Sequence, residues 1–167
     1  MNPMRDIRVE KITLNVGVGE PGAKLDKAVK LLKNMTGEKP VKTTSTKRIP
    51  TWGARPDLPL ACKVTLRKEK AKELLSRLLK AVGNKLPEKK FDKFGNFSFG
   101  IEEYILIPGV EYDVEVGIIG LEVAVTLERP GFRVKKKRSS SKIGIKHRIT
   151  KEESIEFVKK TFGMVVS

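Results

Sequence analysis

The amino-acid sequence predicts an α+β protein in which an antiparallel or mixed β-sheet carries helices on one face and leaves its other face open, polar and basic. Three observations predict this fold. Several segments alternate apolar and polar residues with period two, as strands buried on one side do. Two segments instead repeat apolar residues at helical spacing, and a capping pattern opens a third helix near the C-terminus. A length of 167 residues suits one domain, so we expect a single domain over 1–167.

The first 67 residues contain three predicted strands and one predicted helix. Residues 8–16 alternate apolar and polar side chains and predict the first strand. A glycine-rich loop at 17–22 leads into residues 25–35, whose apolar side chains recur at the spacing of one helix face. Two further strands are predicted. One covers residues 41–49, which are rich in threonine and valine, and the other covers residues 60–67, which alternate.

The remaining residues continue the same pattern. Residues 71–82 carry leucines at helical spacing and predict a second helix. Residues 96–101 and 123–127 alternate and predict two more strands. Thr150 and Glu153 form a capping box, which predicts that a last helix begins there. Its apolar face is expected to carry Ile155, Val158 and Phe162.

The open face of the predicted sheet carries hydroxyl, amide and cationic groups, which are the types that bond phosphate and ribose oxygens. These residues are Lys11, Thr13, Asn15, Lys63, Thr65, Arg67, Asn96 and Ser98. No aromatic side chain is predicted on this face to stack unpaired bases, so the pattern favours a structured RNA bound through its backbone and shape. A solvated face without a partner is the alternative.

The charges of the chain are unevenly distributed. There are 35 Lys and Arg residues against 20 Asp and Glu residues, a formal net charge of +15. Residues 39–56 hold five basic residues and no acid, and residues 129–151 hold ten and no acid. Residues 101–128 hold seven acids and no Lys or Arg. Acid-free basic segments favour a nucleic acid as the partner, and the acidic stretch is expected to avoid phosphate and to face a basic protein.

The basic segment, residues 131–149, is expected to be mobile until it binds RNA, because its clustered cations and serines cannot bury much apolar area. A solvated charge run is the alternative interpretation. The candidate RNA-binding side chains of this segment are Arg133, Lys135, Lys136, Lys137, Arg138, Lys142, Lys146, His147 and Arg148.

The composition argues against several other classes of function. Cys62 is the single cysteine and is expected to be a core thiol, and His147 is the single histidine, so neither a cysteine metal site nor a histidine cluster is expected. His147 lies between two cations that disfavour its protonation, which suits an RNA contact or a neutral surface group. No apolar run approaches a membrane span of about 18 residues, and the N-terminus lacks the apolar run of a signal peptide. We therefore expect a cytoplasmic protein with no cofactor, no metal, no small-molecule substrate and no membrane partner.

Two loops each have a structural and a functional interpretation. Residues 17–22 match the G-x-G-x-x-G dinucleotide fingerprint, but Glu20 would repel a pyrophosphate there. A structural loop is therefore favoured, and a small nucleotide-dependent enzyme is the alternative. Trp52, the single tryptophan, lies in a proline-bounded loop with Arg55, either as a clasp on the core or as an exposed stacking platform.

Several motifs together carry a resemblance to the large-subunit ribosomal protein five family, the universal proteins that bind 5S ribosomal RNA. Five segments occur in the family's order: 11–19 (KITLNVGVG), 36–40 (TGEKP), 43–48 (TTSTKR), 63–67 (KVTLR) and 94–103 (FGNFSFGIEE). Two further segments, 128–134 (ERPGFRV) and 142–149 (KIGIKHRI), resemble the archaeal and eukaryotic branch. The resemblance covers nearly the whole chain.

The resemblance implies a structural protein of the large ribosomal subunit that helps attach 5S ribosomal RNA at the central protuberance. It also implies contact with the transfer RNA in the peptidyl site and a bridge to a protein of the small-subunit head. By matching motifs, the side of the protein that binds 5S RNA would carry Asn15, Thr43, Thr44, Thr46, Lys47, Arg48 and Arg67. We include Lys42 and Lys63 as candidate RNA-binding residues because of their positive charge. The loop facing transfer RNA would carry Trp52, Gly53 and Arg55. A general RNA- or DNA-binding chaperone is the alternative function.

Overall fold

Three α-helices and seven strands form the regular structure of residues 2–167, the part of the chain that the computed structural model describes. The strands are β1 (Arg8–Gly17), β2 (Val41–Thr44), β3 (Pro59–Arg67), β4 (Lys85–Leu86), β5 (Phe97–Ile101), β6 (Leu121–Glu128) and β7 (Val165–Val166). The helices are α1 (Ala23–Thr36), α2 (Lys68–Ala81) and α3 (Lys151–Phe162). Short 3-10 turns lie between these elements.

Five of the strands form one antiparallel sheet in the order β2-β3-β1-β6-β5, so the predicted α+β fold is confirmed. β4 and β7 form a separate two-residue parallel pair, which the sequence pattern does not predict. The strand predicted over 41–49 is too long, because β2 ends at Thr44. Its register against β3 shifts between Thr43 and Thr44, and the Ser45 hydroxyl then donates to the Lys47 carbonyl oxygen at 2.8 Å. This local hydrogen bond forms directly after the strand, while the Ser45 amide still donates to the Leu58 carbonyl oxygen at 2.9 Å.

The chain divides into two compact units, each with its own apolar core. One unit contains the residues up to Ile12 together with Arg67–Phe99 and Ala124–Ser167. Its buried residues come from one side of each strand and from one stripe of α2 and α3. They include Leu74, Leu75, Leu78, Leu79, Phe97, Phe99, Val125, Leu127 and Val158.

The capping box of α3 is confirmed, but its buried face differs from the prediction. The Glu153 amide donates to Thr150 Oγ1, and the Thr150 amide donates to Glu153 Oε2. Val158 is buried as predicted, whereas Ile155 and Phe162 are only half-buried. Ser154 is buried in addition, since its hydroxyl donates to the Gly95 carbonyl oxygen at 2.7 Å.

The other unit contains Thr13–Leu66 and Gly100–Val123. Here α1 buries one apolar stripe and ends at Gly37, which has a φ of 69° and donates its amide to the Lys33 carbonyl oxygen. Cys62 is fully buried, as predicted, and burial raises the pKa of its thiol to about 11 although the charge of Lys42 acts to lower it. The thiol therefore stays protonated at neutral pH and is a poor nucleophile.

The acidic segment 101–120 also belongs to this second unit and is anchored through Tyr104. This side chain is fully buried, and its hydroxyl accepts a hydrogen bond from the Asp113 amide at 3.0 Å. The Lys30 ammonium on α1 lies 2.6 Å from Glu115 and 3.3 Å from Asp113. Hydrogen bonds to these two carboxylates raise the pKa of Lys30. The acidic segment is thus ordered against α1.

We expect Gly95→Ala to destabilise the protein by about 2–4 kcal/mol, because positive-φ strain and overpacking act together. Gly95 has a φ of 77°, and a Cβ atom at this position would lie 2.5 Å from Ile149 Cγ2. Urea unfolding followed by circular dichroism measures the loss. Gly144→Ala is the matched control, since nothing lies within 4 Å of its Cβ position. Equal unfolding midpoints for the two variants would contradict the packing at Gly95.

Candidate nucleic-acid interface

The polar sides of β1 and β3 form the open face that the alternation predicts. Thr13 and Asn15 are half-buried beside buried neighbours, and the hydroxyls of Thr13 and Thr65 lie 3.5 Å apart on neighbouring strands. Lys63 and Arg67, on the same side of β3 as Thr65, are exposed. These side chains leave hydroxyl and cationic groups accessible for phosphate and ribose oxygens.

The open face also carries acids, which the prediction for this face omitted. β6 buries its apolar residues and so presents Glu122 and Glu128 on the other side. The Asn15 amide donates to Glu122 Oε2 at 3.3 Å, so one candidate RNA-binding side chain already has a partner within the protein. The sheet face is therefore mixed in charge, and its cations are Lys11 on β1 and Lys63 and Arg67 on β3.

A run of exposed hydroxyl and cationic side chains lies on and after β2. Thr44, Thr46, Lys47 and Arg48 are exposed, and Thr43 is half-buried. The Lys42 ammonium differs, because it lies 2.6 Å from Asp26 on α1.

Four cations of this region keep their charge free. Among residues 2–167, no carboxylate lies within salt-bridge distance of these side chains, which are Lys47, Arg48, Lys63 and Arg67. Free exposed cations can replace the counterions of a nucleic acid without first breaking an internal ion pair.

The loop after β2 presents Trp52 to solvent. A 3-10 turn at Pro50–Trp52 ends at Gly53, which has a φ of 64°, and Ile49 bridges to the buried Ala54. Trp52 is 76% exposed, so it does not clasp the core. Arg55 is exposed in the same loop. An exposed indole near a guanidinium can stack on a nucleic-acid base.

The basic segment contains two 3-10 turns, Phe132–Lys135 and Ile145–His147. The Lys136 ammonium lies 2.5 Å from Glu10 and 3.6 Å from Glu128, so its charge is largely neutralised within the protein. The other cations of the segment are exposed. They are Arg133, Lys135, Lys137, Arg138, Lys142, Lys146 and Arg148.

His147 is not the exposed surface group that its cationic neighbours suggest. It is half-buried, its Nε2 donates to the Pro130 carbonyl oxygen at 2.8 Å, and its ring meets Phe132 edge-on at 5.7 Å. Its main observed contacts are therefore internal.

Arg129, one of the ten cations counted in the run 129–151, is a core residue. Its side chain is 4% exposed. Its guanidinium donates to the carbonyl oxygens of Arg5, His147 and Arg148 and to Glu153 Oε1 at 2.9 Å. Burial acts to raise the pKa of Glu153, but hydrogen bonds from Thr150 and Arg129 outweigh it and the pKa is lowered. Arg129 thus holds the basic segment to the start of α3.

Phe94 is a further exposed aromatic that the sequence analysis missed. It is 62% exposed and lies in the turn before β5, where period-two alternation does not apply. The signal that could have found it is the Asp92-Lys-Phe-Gly-Asn96 turn itself, since a side chain flanked by turn residues points outward.

The glycine loop does not have the features of a dinucleotide site. The amides of Val18 and Gly19 both donate to the Leu60 carbonyl oxygen at 3.0 Å, so they are not free to bind a pyrophosphate. The preceding strand belongs to an antiparallel sheet, whereas the fingerprint requires a parallel one.

Residues 2–167 contain no group of three or more His, Cys, Asp or Glu side chains that could hold a metal ion. Within the same residues, no helix is both long enough and apolar enough to span a bilayer.

The one-sided antiparallel sheet and the free cations beside it define a small α+β protein with a surface suited to a polyanion. Two family models match consecutive parts of the chain: ribosomal protein L5 over residues 2–55, and the C-terminus of the same ribosomal family over residues 59–157. The chain belongs to the ribosomal protein L5 family. Proteins of this family are structural and non-enzymatic. The alternative that this chain is a small nucleotide-dependent enzyme is therefore wrong.

The similarity to individual relatives extends over nearly the full length. The large ribosomal subunit protein uL5 of Nanoarchaeum equitans is 54% identical over 167 residues, which cover 99% of this chain and 98% of the relative. The protein of the same name from Sulfurisphaera tokodaii is 49% identical, covering 99% of this chain and 95% of the relative. The one from Methanosphaera stadtmanae is 46% identical, covering 99% of each.

Replacing Arg129 by Met is expected to cost about 2–4 kcal/mol of unfolding free energy, because it leaves buried carbonyl oxygens and Glu153 without their donor. Denaturant titration measures this cost. Arg133→Met is the matched control, since it removes an exposed cation of the same segment and is expected to change stability little. If both variants unfold at the same denaturant concentration, Arg129 does not hold the segment in place.

Proposed function

We propose that this protein is a structural component of the large ribosomal subunit that binds 5S ribosomal RNA and helps attach it at the central protuberance. Family membership supports this proposal, as do relatives named large ribosomal subunit proteins. Proteins of this family are ribosomal components of the cytoplasm. The protein therefore acts by binding RNA and not by catalysis.

The observation that carries the proposal is the set of four free cations on and beside β2 and β3, namely Lys47, Arg48, Lys63 and Arg67. Their charge supplies the affinity for phosphate, and the threonines beside them, Thr43, Thr44 and Thr46, fix the register on the RNA backbone through their hydroxyls. Asn15 and Lys42 have partners within the protein, so they join the RNA contact only by exchanging those partners.

The loop with Trp52, Gly53 and Arg55 is proposed to contact transfer RNA in the peptidyl site. The tight turn at Gly53 and the buried Ala54 anchor the loop to the protein. The indole of Trp52 is then available for stacking and Arg55 for a phosphate.

Of the acidic stretch 101–128, which is expected to face a basic protein, we assign the segment 101–120 to a protein of the small-subunit head, because Glu122 and Glu128 lie on the open face of the sheet. Its carboxylates repel phosphate, so this surface is directed away from RNA. Exposed apolar side chains lie among these acids and supply contact area for a protein partner. They are Ile105, Leu106, Tyr112, Val114 and Ile118.

The double variant Lys47→Ala, Arg48→Ala removes two positive charges. We expect it to weaken 5S RNA binding by about 1–3 kcal/mol and to reduce the salt dependence of the affinity. Filter-binding titrations at several salt concentrations measure both quantities. The control is the pair Lys27→Ala and Lys80→Ala, which removes the same charge from exposed positions on α1 and α2.

Unchanged affinity and salt dependence would remove Lys47 and Arg48 from the RNA contact. Equal competition by duplex DNA at physiological salt would instead indicate a general nucleic-acid chaperone, because charge alone does not distinguish the two polymers.

Arg55→Ala is expected to leave 5S RNA binding unchanged and to loosen transfer RNA in the peptidyl site, because Arg55 belongs to the loop and not to β2 or β3. Dissociation of labelled transfer RNA from ribosomes assembled with the variant measures this effect. Ribosomes carrying Lys80→Ala are the control. Retention of transfer RNA equal to wild type would refute the role of the loop.

A further inference from the structure

A groove of about 830 Å³ lies beside the open face of the sheet in the unit that contains α2 and α3. The sheet contributes the wall at Lys11, Asn96 and Thr126, and the basic segment contributes the opposite wall. The groove brings residues of the open face together with residues of the basic segment, and it lies outside the β2–β3 cations and the Trp52 loop. Its volume lies within the range of pockets that bind small organic groups, and it is large enough for one or two nucleotides.

Apolar and cationic side chains occupy different parts of the groove. Leu127 and Ile149 are buried in its floor, and Phe132 and Ile143 are half-buried beside them. The cations line its rim and are exposed or half-exposed; they are Lys11, Lys135, Lys142 and Arg148. An apolar floor with a cationic rim suits a flat base bound inside and phosphates bound outside.

The groove contains one acid, and that acid is already neutralised. Glu10 lies 2.5 Å from the Lys136 ammonium, which lines the groove as well. No carboxylate of residues 2–167 lies within salt-bridge distance of Lys11, Lys135 or Lys142. The net charge at the rim is therefore positive, which favours a polyanion over an acidic or neutral apolar ligand.

Phe94 stands at the groove on a turn that the protein holds rigid. The Asp92 carboxylate accepts hydrogen bonds from the amides of Phe94 and Asn96 at 2.8 and 2.7 Å and from the Asn96 side chain at 2.9 Å. The next residue, Gly95, is buried against Ile149, and its carbonyl oxygen accepts a hydrogen bond from the Ser154 hydroxyl. A fixed, exposed aromatic costs little ordering entropy when a base stacks on it.

We propose that this groove binds one or two unpaired nucleotides of single-stranded RNA, with a base stacked on Phe94 and the flanking phosphates bound by Lys11, Lys142 and Arg148. The inference rests on the proposed RNA-binding function and deepens it. The β2–β3 cations bind a structured backbone, whereas this groove captures a base that is not in a helix. A duplex cannot use it, because its bases are stacked on each other and their faces are covered.

The test measures binding of a fluorescein-labelled oligouridylate of about eight nucleotides by anisotropy, with an RNA hairpin as competitor. Phe94→Leu is expected to weaken binding of the single strand about tenfold, because base–aromatic stacking is lost, and Phe94→Tyr is expected to retain it. The same oligonucleotide carrying 4-thiouridine is expected to crosslink under ultraviolet light to a peptide that contains Phe94 or the groove-lining basic segment.

Each outcome supports or overturns the proposal that the groove binds single-stranded RNA, and none decides the proposed function in the ribosome. The groove proposal is overturned if wild type, Phe94→Leu and Phe94→Tyr bind the oligouridylate equally, or if crosslinks are confined to other peptides. Equal competition by an oligoglutamate peptide also overturns it, since the groove would then bind any anion. The double variant Lys47→Ala, Arg48→Ala separates the two proposals. If both proposals hold, this variant loses affinity for 5S RNA, and its affinity for the oligouridylate stays within about twofold of the wild-type affinity.

Discussion

Burial of one side of the sheet determines both where the core lies and where the charged side chains are exposed. Period-two alternation sends Leu14 and Val64 into the core and so sends Asn15 and Lys63 to the other face. A shift of one residue in any strand would exchange these faces, so core packing and the position of the cations are specified together. Because the helices cover the apolar face of the sheet, its polar face remains available to a partner.

Internal acids restrain the positive charge of the chain and decide which cations are available. Glu10 and Glu128 hold Lys136, and Asp26 holds Lys42. Exposed ion pairs of this kind contribute little to stability, so their main effect is on the distribution of charge. Free cations remain on the β2–β3 side, in the loop and at the rim of the groove, and the carboxylates of the acidic segment repel phosphate.

Most elements could be predicted from the sequence, because alternation and helical spacing are local properties of the chain. What could not be predicted depends on contacts between distant residues. Arg129 belongs to a basic run, and only the convergence of the N-terminal residues, the basic segment and α3 around it makes it a core residue. Phe94 precedes a strand, so alternation says nothing about its direction. The strand β2 ends early at a shift of its register against β3, and residue composition does not reveal where a register shifts.

Amine labelling with mass spectrometry shows directly which side of the sheet binds RNA, since each lysine of the free protein is compared with the same lysine in the complex with 5S ribosomal RNA. We expect protection of Lys47 and Lys63 on the β2–β3 side and unchanged labelling of Lys27 and Lys80, which are exposed on α1 and α2. Protection of the helix lysines with unchanged labelling of Lys47 and Lys63 would mean that RNA binds the helical side, and the open face would then not be the RNA-binding surface.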